Sequence, residues 1–120
     1  MILEQSVIVS TEAIEIDPQI ISIGRTRTYG TVQICFDCAA VIEKYGSVEG
    51  VELWLMMPGK PIRTRMIEFD GVSAFWLVDE TDTDKCGNGE AELYFYLSGG
   101  GLWKSSIFPV IIKPDINKRF

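Results

Sequence analysis

Two cysteines, Cys35 and Cys38, have the C-x-x-C spacing of redox-active and zinc-binding sites. The surrounding residues, T-V-Q-I-C-F-D-C, favour a β-strand, whereas redox pairs lie at helix N-termini. Residues three apart on a strand face opposite sides of the sheet, so this pair is poorly placed to bridge or to bind one ion. Cys86 is the third cysteine and the chain has no histidine. We therefore expect ordinary thiols and no metal site here.

Carboxylates cluster in one later segment and could serve a glycosidase or a calcium site. They are Asp79, Glu80, Asp82, Asp84, Glu90 and Glu92. An EF-hand register begun at Asp79 places Asp84 where glycine is required, and one begun at Glu80 places Ala91 where the final glutamate is required. Acids in a solvated loop also give no reason for one pKa to rise. Whether a calcium ion binds loop 79–90 is left open, and no metal ligand is assigned.

Other catalytic signatures are missing from the sequence. Without histidine the commonest general base is absent, and there is neither a G-x-S-x-G elbow nor a phosphate-cradling glycine pattern. We therefore predict no enzyme, no catalytic residues and no cofactor.

Charge and hydropathy exclude two further classes of partner. The net charge is −6, whereas nucleic-acid binding requires a positive surface. No apolar run is long enough for a membrane helix, and the N-terminus lacks the pattern of a secretion signal. The sequence thus predicts neither a nucleic-acid partner nor membrane insertion, and it predicts synthesis in a cytosol without export.

Aromatic side chains supply the candidate interaction residues, which are Trp54, Trp76, Tyr94, Tyr96 and Trp103. Trp54 and Trp76 alternate out of phase with the other large apolar residues of their strands. If the outer sheet face is solvated, they form an exposed patch of the kind that binds sugars or proteins. The alternative is that both strands are central in a sandwich and apolar on both faces.

Short strands separated by turn signals must position these residues. Pro58–Gly59–Lys60–Pro61 and Asp70–Gly71 predict two successive hairpins, and Gly99–Gly101 predicts a third reversal. The only segment with helical character is 37–45, which is marginal in length. The predicted core consists of Val32, Ile34, Phe36, Leu53, Leu55, Ile67, Phe75, Leu77, Leu93, Phe95, Ile107 and Ile111.

Turns every eight to twelve residues predict an all-β fold, an antiparallel Ig-like β-sandwich of about seven or eight short strands. A closed barrel is the competing architecture. At 120 residues the chain suits one domain, which we place at 1–113, with a polar C-terminal tail at 114–120.

The second half of the chain resembles the N-terminal β-sandwich domain of phage baseplate upper proteins and related phage tail and virion attachment domains. The resemblance lies in Asp70–Trp76, the acidic stretch Asp79–Asp84, Gly87–Tyr96 with its G-x-G, Lys104–Ser105 and the closing strand Ile107–Ile112. It covers about the last 50 residues, with a looser similarity upstream that includes the Pro58–Pro61 turn.

The resemblance implies a non-enzymatic phage or prophage structural protein, a baseplate, tail or virion adaptor. Such a protein is assembled in the host bacterial cytoplasm and located in the virion, and it acts by self-association and by contacts with other virion proteins. The alternative is a carbohydrate-binding module that stacks host-surface glycan on exposed aromatic residues.

Overall fold

A computed structural model describes residues 3–9, 16–17, 21–25, 30, 32–79, 81–83 and 86–113. The described elements are β1 (Leu3–Val9), β2 (Ile16–Asp17), β3 (Ile21–Arg25), β4 (Val32–Asp37), α1 (Ala39–Tyr45), β5 (Val48–Met56), β6 (Arg63–Phe69), β7 (Ser73–Leu77), β8 (Gly87–Leu97), β9 (Leu102–Lys104) and β10 (Phe108–Lys113). The predictions of a mostly β chain and of helical character near 37–45 are confirmed. The predicted tail, 114–120, lies outside the described residues.

The strands form one curled sheet in the order β2-β1-β4-β7-β6-β5-β8-β10-β3, and β9 pairs with β8 beside this path. Most neighbours are antiparallel, but β1 pairs with β4 and β10 pairs with β3 in parallel. The expectation of an antiparallel Ig-like sandwich is therefore wrong in detail. The sheet is mixed and curls into a half-barrel, and both parallel pairs join strands that are not consecutive in the chain.

Strands β2 and β3 are consecutive in the chain yet lie at opposite ends of this strand order. Curling brings the two ends together, since the Gln5 side-chain amide on β1 donates a hydrogen bond of 2.7 Å to the Ser22 carbonyl on β3. The competing barrel architecture was thus closer to the observed curvature, although the described strand order does not close into a complete ring.

The two predicted hairpins are confirmed and make β5, β6 and β7 consecutive neighbours. Gly59 and Gly71 adopt φ of 72° and 103°, which glycine tolerates without the steric cost of a Cβ atom. At the second turn, Asp70 Oδ1 accepts hydrogen bonds from the backbone N–H of Val72 and of Ser73, at 2.8 and 2.7 Å. The residues within these two turns therefore determine which strands are neighbours in the middle of the sheet.

Strand β8 is the longest, at 11 residues, and it pairs along one side with β5. Its other side pairs first with β10 and then with β9. Gly89 allows the close approach of β5, because a Cβ there would overlap Met57 Sδ and lie 2.6 Å from the Met56 carbonyl oxygen. The G-x-G of the sequence resemblance thus includes a position with no room for a side chain.

Ser105 closes the gap between β9 and β10 along β8. Its backbone N–H donates to the Leu93 carbonyl, and its Oγ accepts from the Leu93 N–H, both at 2.9 Å. Ser105 Oγ also donates to the Ser106 carbonyl at 2.9 Å. The buried Ser105 therefore continues the hydrogen bonding along this side of β8, between the part that pairs with β9 and the part that pairs with β10.

The core lies on the concave side of the sheet. Six predicted core residues are buried there, namely Ile34, Phe36, Leu53, Leu55, Leu93 and Phe95. Val32 and Ile67 are partly buried against them. The strand phase of β4, β5 and β8 was therefore predicted correctly from alternation.

The predicted phase of β7 and β10 is wrong. In β7 the buried side chains are Ala74 and Trp76, whereas Leu77 is 44% exposed and Phe75 is half-buried. Both strands carry apolar residues on both faces, so alternation alone does not determine which face is buried.

The same inversion holds in β10. Phe108, Val110 and Ile112 are buried, whereas Ile111 is half-buried and Ile107, just before the strand, is 60% exposed. Phe108 packs against Phe36 with ring centroids 5.9 Å apart, which joins β10 to the core under β4.

Within the described residues, α1 is the one helix, and it is far too short to cross a membrane.

Candidate functional site

The convex side of β5, β8 and β9 carries three of the five candidate interaction residues. Trp54 and Tyr94 stack with ring centroids 4.5 Å apart and an interplanar angle of 11°. The Lys104 ammonium lies 4.7 Å from the Tyr94 ring centroid, a cation–π contact. Tyr96 follows on the same face of β8. We call Glu52, Trp54, Tyr94, Tyr96 and Lys104 the outer aromatic face.

Glu52 holds this face together. Its Oε1 accepts a hydrogen bond from Trp54 Nε1 at 2.9 Å and another from the Tyr96 hydroxyl at 2.6 Å. The second bond raises the pKa of Tyr96, because ionisation would place a phenolate against the carboxylate. The aromatic rings are therefore held in one arrangement by a polar anchor, which reduces the entropy that binding would cost.

Beside the outer aromatic face lies a shallow groove of about 110 Å³. Its lining includes Trp54, Met56, Ile62 and Ile107, together with the carboxylate-bearing Glu90 and Glu92 of β8. Met56, Ile62 and Ile107 are 42%, 56% and 60% exposed, which is high for such side chains. These three residues were not predicted from the sequence as part of a site. Ile62 and Ile107 lie just outside strands, and Ile107 was assigned to the core.

Trp76 does not belong to this surface. It is fully buried, so the expectation that Trp54 and Trp76 share an exposed face is wrong. Its Nε1 donates a hydrogen bond of 3.0 Å to Asp82 Oδ2. Burial of an indole is favourable when its N–H finds an acceptor, and Asp82 supplies that acceptor from within the acidic loop.

Asp82 is itself only 1% exposed, and the negative charge of its carboxylate is balanced by two arginines. Arg65 Nη2 lies 3.0 Å from Asp82 Oδ2 and its Nη1 lies 3.1 Å from Asp82 Oδ1, a bidentate arrangement. Arg63 Nη1 adds an ionic contact at 3.5 Å. The Asp79 backbone N–H donates a further hydrogen bond to Asp82 Oδ2 at 2.9 Å. Both carboxylate oxygens are thus engaged by the chain itself.

Asp79 completes this cluster. Its Oδ1 accepts from the Thr81 hydroxyl at 2.7 Å and from the Asp82 N–H at 2.9 Å, and its Oδ2 accepts from Arg65 at 2.9 Å. Partial burial raises the pKa of Asp79, but these bonds and the guanidinium outweigh burial and hold the pKa below 3.8. No group of three or more potential metal ligands occurs among the described residues. Glu80, Asp84 and Lys85 of the loop lie outside them.

Trp103 lies on the opposite face of β9 from Lys104. It packs between Phe95 and Tyr45, with ring centroids 5.4 and 5.7 Å away. The half-buried indole therefore attaches the end of α1 to the core. Its part in an interaction remains a prediction, but its position differs from that of Trp54 and Tyr94.

All three cysteines are free thiols. Cys38 is buried just before α1, and its Sγ–H donates to the Phe36 carbonyl at 3.4 Å. Burial raises the pKa of Cys38 to about 12 and also raises that of Cys35, and a reactive thiolate requires the opposite shift. Cys35 and Cys38 therefore lack the electrostatic environment of a redox pair.

Comparison with known proteins identifies a likeness in fold. No protein-family model matches the sequence, and comparison with curated proteins yields no match. Among solved structures, the chain is similar to the N-terminal domain of phage TP901-1 ORF48, with a TM-score of 0.61 and 15% sequence identity. The match covers 93% of this chain and 99% of that domain. The resemblance inferred from sequence is thereby confirmed at the level of the fold.

Proposed function

We propose that this chain is a non-enzymatic structural component of a phage or prophage particle, a baseplate, tail or virion adaptor that assembles by protein–protein contacts. The observation that carries the proposal is the likeness in fold to a phage N-terminal domain over nearly the whole length of both chains. The location that follows is the virion, after assembly in the bacterial host.

The outer aromatic face supports a binding role. Its Trp54 and Tyr94 belong to residue types enriched in protein interfaces, and the adjoining Met56 does as well. Central aromatic anchors surrounded by polar groups are the usual arrangement of interface hot spots, and Glu52 and Lys104 supply such polar groups here. We assign the contact with copies of the chain or with other virion proteins to this face.

The size of the groove supports a structural role over catalysis. Small-molecule sites usually occupy about 300–1,000 Å³. The groove beside Trp54 is about 110 Å³, and the next described cavity, near Arg63 and Asp82, is about 10 Å³. The buried charges there are paired with each other, so they are arranged to hold a loop rather than to transfer a proton.

Glycan binding receives less support from the geometry. A sugar stacks on an open aromatic face, but Trp54 covers one face of Tyr94 and Lys104 covers the other. In this stacked pair only the remaining face of the half-buried Trp54 is left for stacking, and Tyr96, which is 37% exposed, is the other available ring of the patch. The carbohydrate alternative therefore depends on Trp54 and Tyr96, without Tyr94.

The test is incorporation into particles. The gene is deleted from the encoding phage or prophage and complemented with wild-type protein or with the Trp54→Ala variant, and gradient-purified particles are analysed by mass spectrometry and electron microscopy. We expect wild-type chain in the particles at a defined copy number, and particles that lack a substructure after deletion. Normal particles without the chain would overturn the proposal.

A further inference from the structure

The two carboxylates in the groove have no internal partner. Glu90 and Glu92 neither accept a hydrogen bond nor pair with a cation in the part of the chain that the structure describes. They occupy successive outward positions of β8, about 7 Å apart, so their charges repel each other. This contrasts with Asp79 and Asp82, which are fully compensated a short distance along the chain.

Each of these carboxylates lies directly across from an apolar groove residue. Glu92 is the cross-strand partner of Trp54, and Glu90 is the partner of Met56. Ile62 and Ile107 extend the apolar surface on either side. Negative charge and exposed apolar surface are therefore combined in one small site, with no cation of the described chain to neutralise it.

The dimensions of the groove limit what it can hold. It runs from the start of β6 across β5 and β8 to the start of β10, about three interstrand spacings or roughly 14 Å. A volume of about 110 Å³ is on the order of one large aliphatic side chain, since cavities of about 150 Å³ accommodate benzene. A short stretch of about four residues with one inserted apolar side chain would fill it.

We propose that this groove binds a short apolar and basic segment of another protein of the particle, in which Leu or Ile enters between Trp54, Met56, Ile62 and Ile107 while a neighbouring Lys or Arg pairs with Glu90 and Glu92. The inference rests on the proposed function and names the chemistry of the partner. Charge complementarity selects this occupant, because a symmetric contact with the same groove of a second copy would bring four carboxylates together.

Defined peptides test the inference on the isolated, full chain. Fluorescein-labelled octapeptides that alternate Leu with Lys, Leu with Glu, or Ser with Lys are titrated with the protein, and binding is read by fluorescence anisotropy. The Trp54 indole N–H signal in ¹H–¹⁵N spectra, assigned from the Trp54→Phe variant, locates the site. We expect the Leu/Lys peptide to bind, to shift that signal and to weaken with added salt.

Matched variants separate the groove from the rest of the surface. Ile107→Ser should weaken binding on the order of tenfold, whereas Ile8→Ser, at a similarly exposed isoleucine on β1, should leave it unchanged. Glu90→Gln and Glu92→Gln should each weaken binding about two- to fivefold, and the exposed Glu68→Gln should not.

Three results would overturn the inference. They are equal binding of the Leu/Glu peptide, binding unaffected by Ile107→Ser, and concentration-dependent self-association of the free chain that Ile107→Ser abolishes. None of these bears on whether the chain is present in particles, so a failure here is distinguishable from a failure of the proposed function.

Discussion

Trp76 and Asp82 form a buried indole–carboxylate hydrogen bond of 3.0 Å that joins β7 to the acidic loop following it. The two residues are six positions apart and both are almost completely buried. Arg65 of the neighbouring strand β6 supplies the compensating charge. The acidic stretch thus has a structural role, in which the Asp82 carboxylate accepts the hydrogen bond of a tryptophan in the core.

Removing this carboxylate should destabilise the fold strongly. Asp82→Ala leaves the guanidinium of Arg65 and the Trp76 N–H without their partner, and losing one member of a buried ion pair costs about 3–5 kcal/mol. Urea denaturation measures the change. Glu43→Ala, at an exposed acid of α1, serves as the control and should change the free energy of unfolding by less than about 0.5 kcal/mol. Equal effects of the two substitutions would contradict the assignment.

Ser105→Ala should destabilise the protein by about 1–3 kcal/mol, because the buried Leu93 N–H would lose its acceptor. The neighbouring Ser106→Ala is the matched control, since no hydrogen bond of the Ser106 hydroxyl occurs among the described residues. Thermal unfolding of both variants checks this prediction. A larger loss for Ser106→Ala would mean that the chain crosses from β9 to β10 differently.

The inverted phase of β10 gives a second pair of neighbouring substitutions. Phe108→Ala removes a side chain that is 2% exposed and should cost about 3–5 kcal/mol. Ile107→Ala removes one that is 60% exposed and should cost less than about 0.5 kcal/mol. The reverse order, measured by denaturant titration, would restore the phase that the sequence alone suggested.

The wrong buried faces predicted for β7 and β10 show which features of the fold the sequence does not determine locally. The turns at Pro58–Gly59 and Asp70–Gly71 were predictable, because the residues that set a turn lie within it. Alternation identified the buried face of β8. It failed in β7, where Phe75 and Leu77 compete with Trp76 and the buried Trp76 donates a hydrogen bond to Asp82 in a later loop.

Strand pairings between distant segments could not be predicted from the sequence for a related reason. The parallel pairings of β1 with β4 and of β10 with β3 join segments that no local signal connects. At the candidate site, Trp54, Tyr94 and Tyr96 were predicted as interaction residues, but their cross-strand contacts with Glu52 and Lys104 required the register. Ile62 and Ile107 carried no pattern that distinguishes an exposed residue from a buried one.

Acid should destabilise the protein through Asp70 and Asp79. Backbone hydrogen bonds from Ser73 and Val72 hold the pKa of Asp70 below 3.8, and the pKa of Asp79 is also below that value. Since the folded-state pKa values are the lower ones, this stability is fully present above 3.8 and is lost as the pH falls through them. Denaturation between pH 6 and pH 2 should show the loss, with a smaller slope in Asp79→Asn. An unchanged slope would contradict it.

Alkylation should distinguish the three thiols. With a pKa of about 12 and a buried Sγ, Cys38 should react with iodoacetamide at pH 8 far more slowly than Cys35 or Cys86, which are both partly exposed. Peptide mass spectrometry should find all three alkylated in urea. Rapid modification of Cys38 in the folded protein would contradict its burial.

Oxidative footprinting compares the same residues in the free chain and in purified particles, and it tests most directly whether the convex side of β5 and β8 is an assembly surface. If this side is an assembly surface, oxidation of Trp54 and Met56 falls severalfold in particles. We expect little change at Tyr45, which is 39% exposed on α1 against 42% for Met56. Undiminished oxidation of Trp54 and Met56 in particles that contain the chain would show that this side is not an assembly surface.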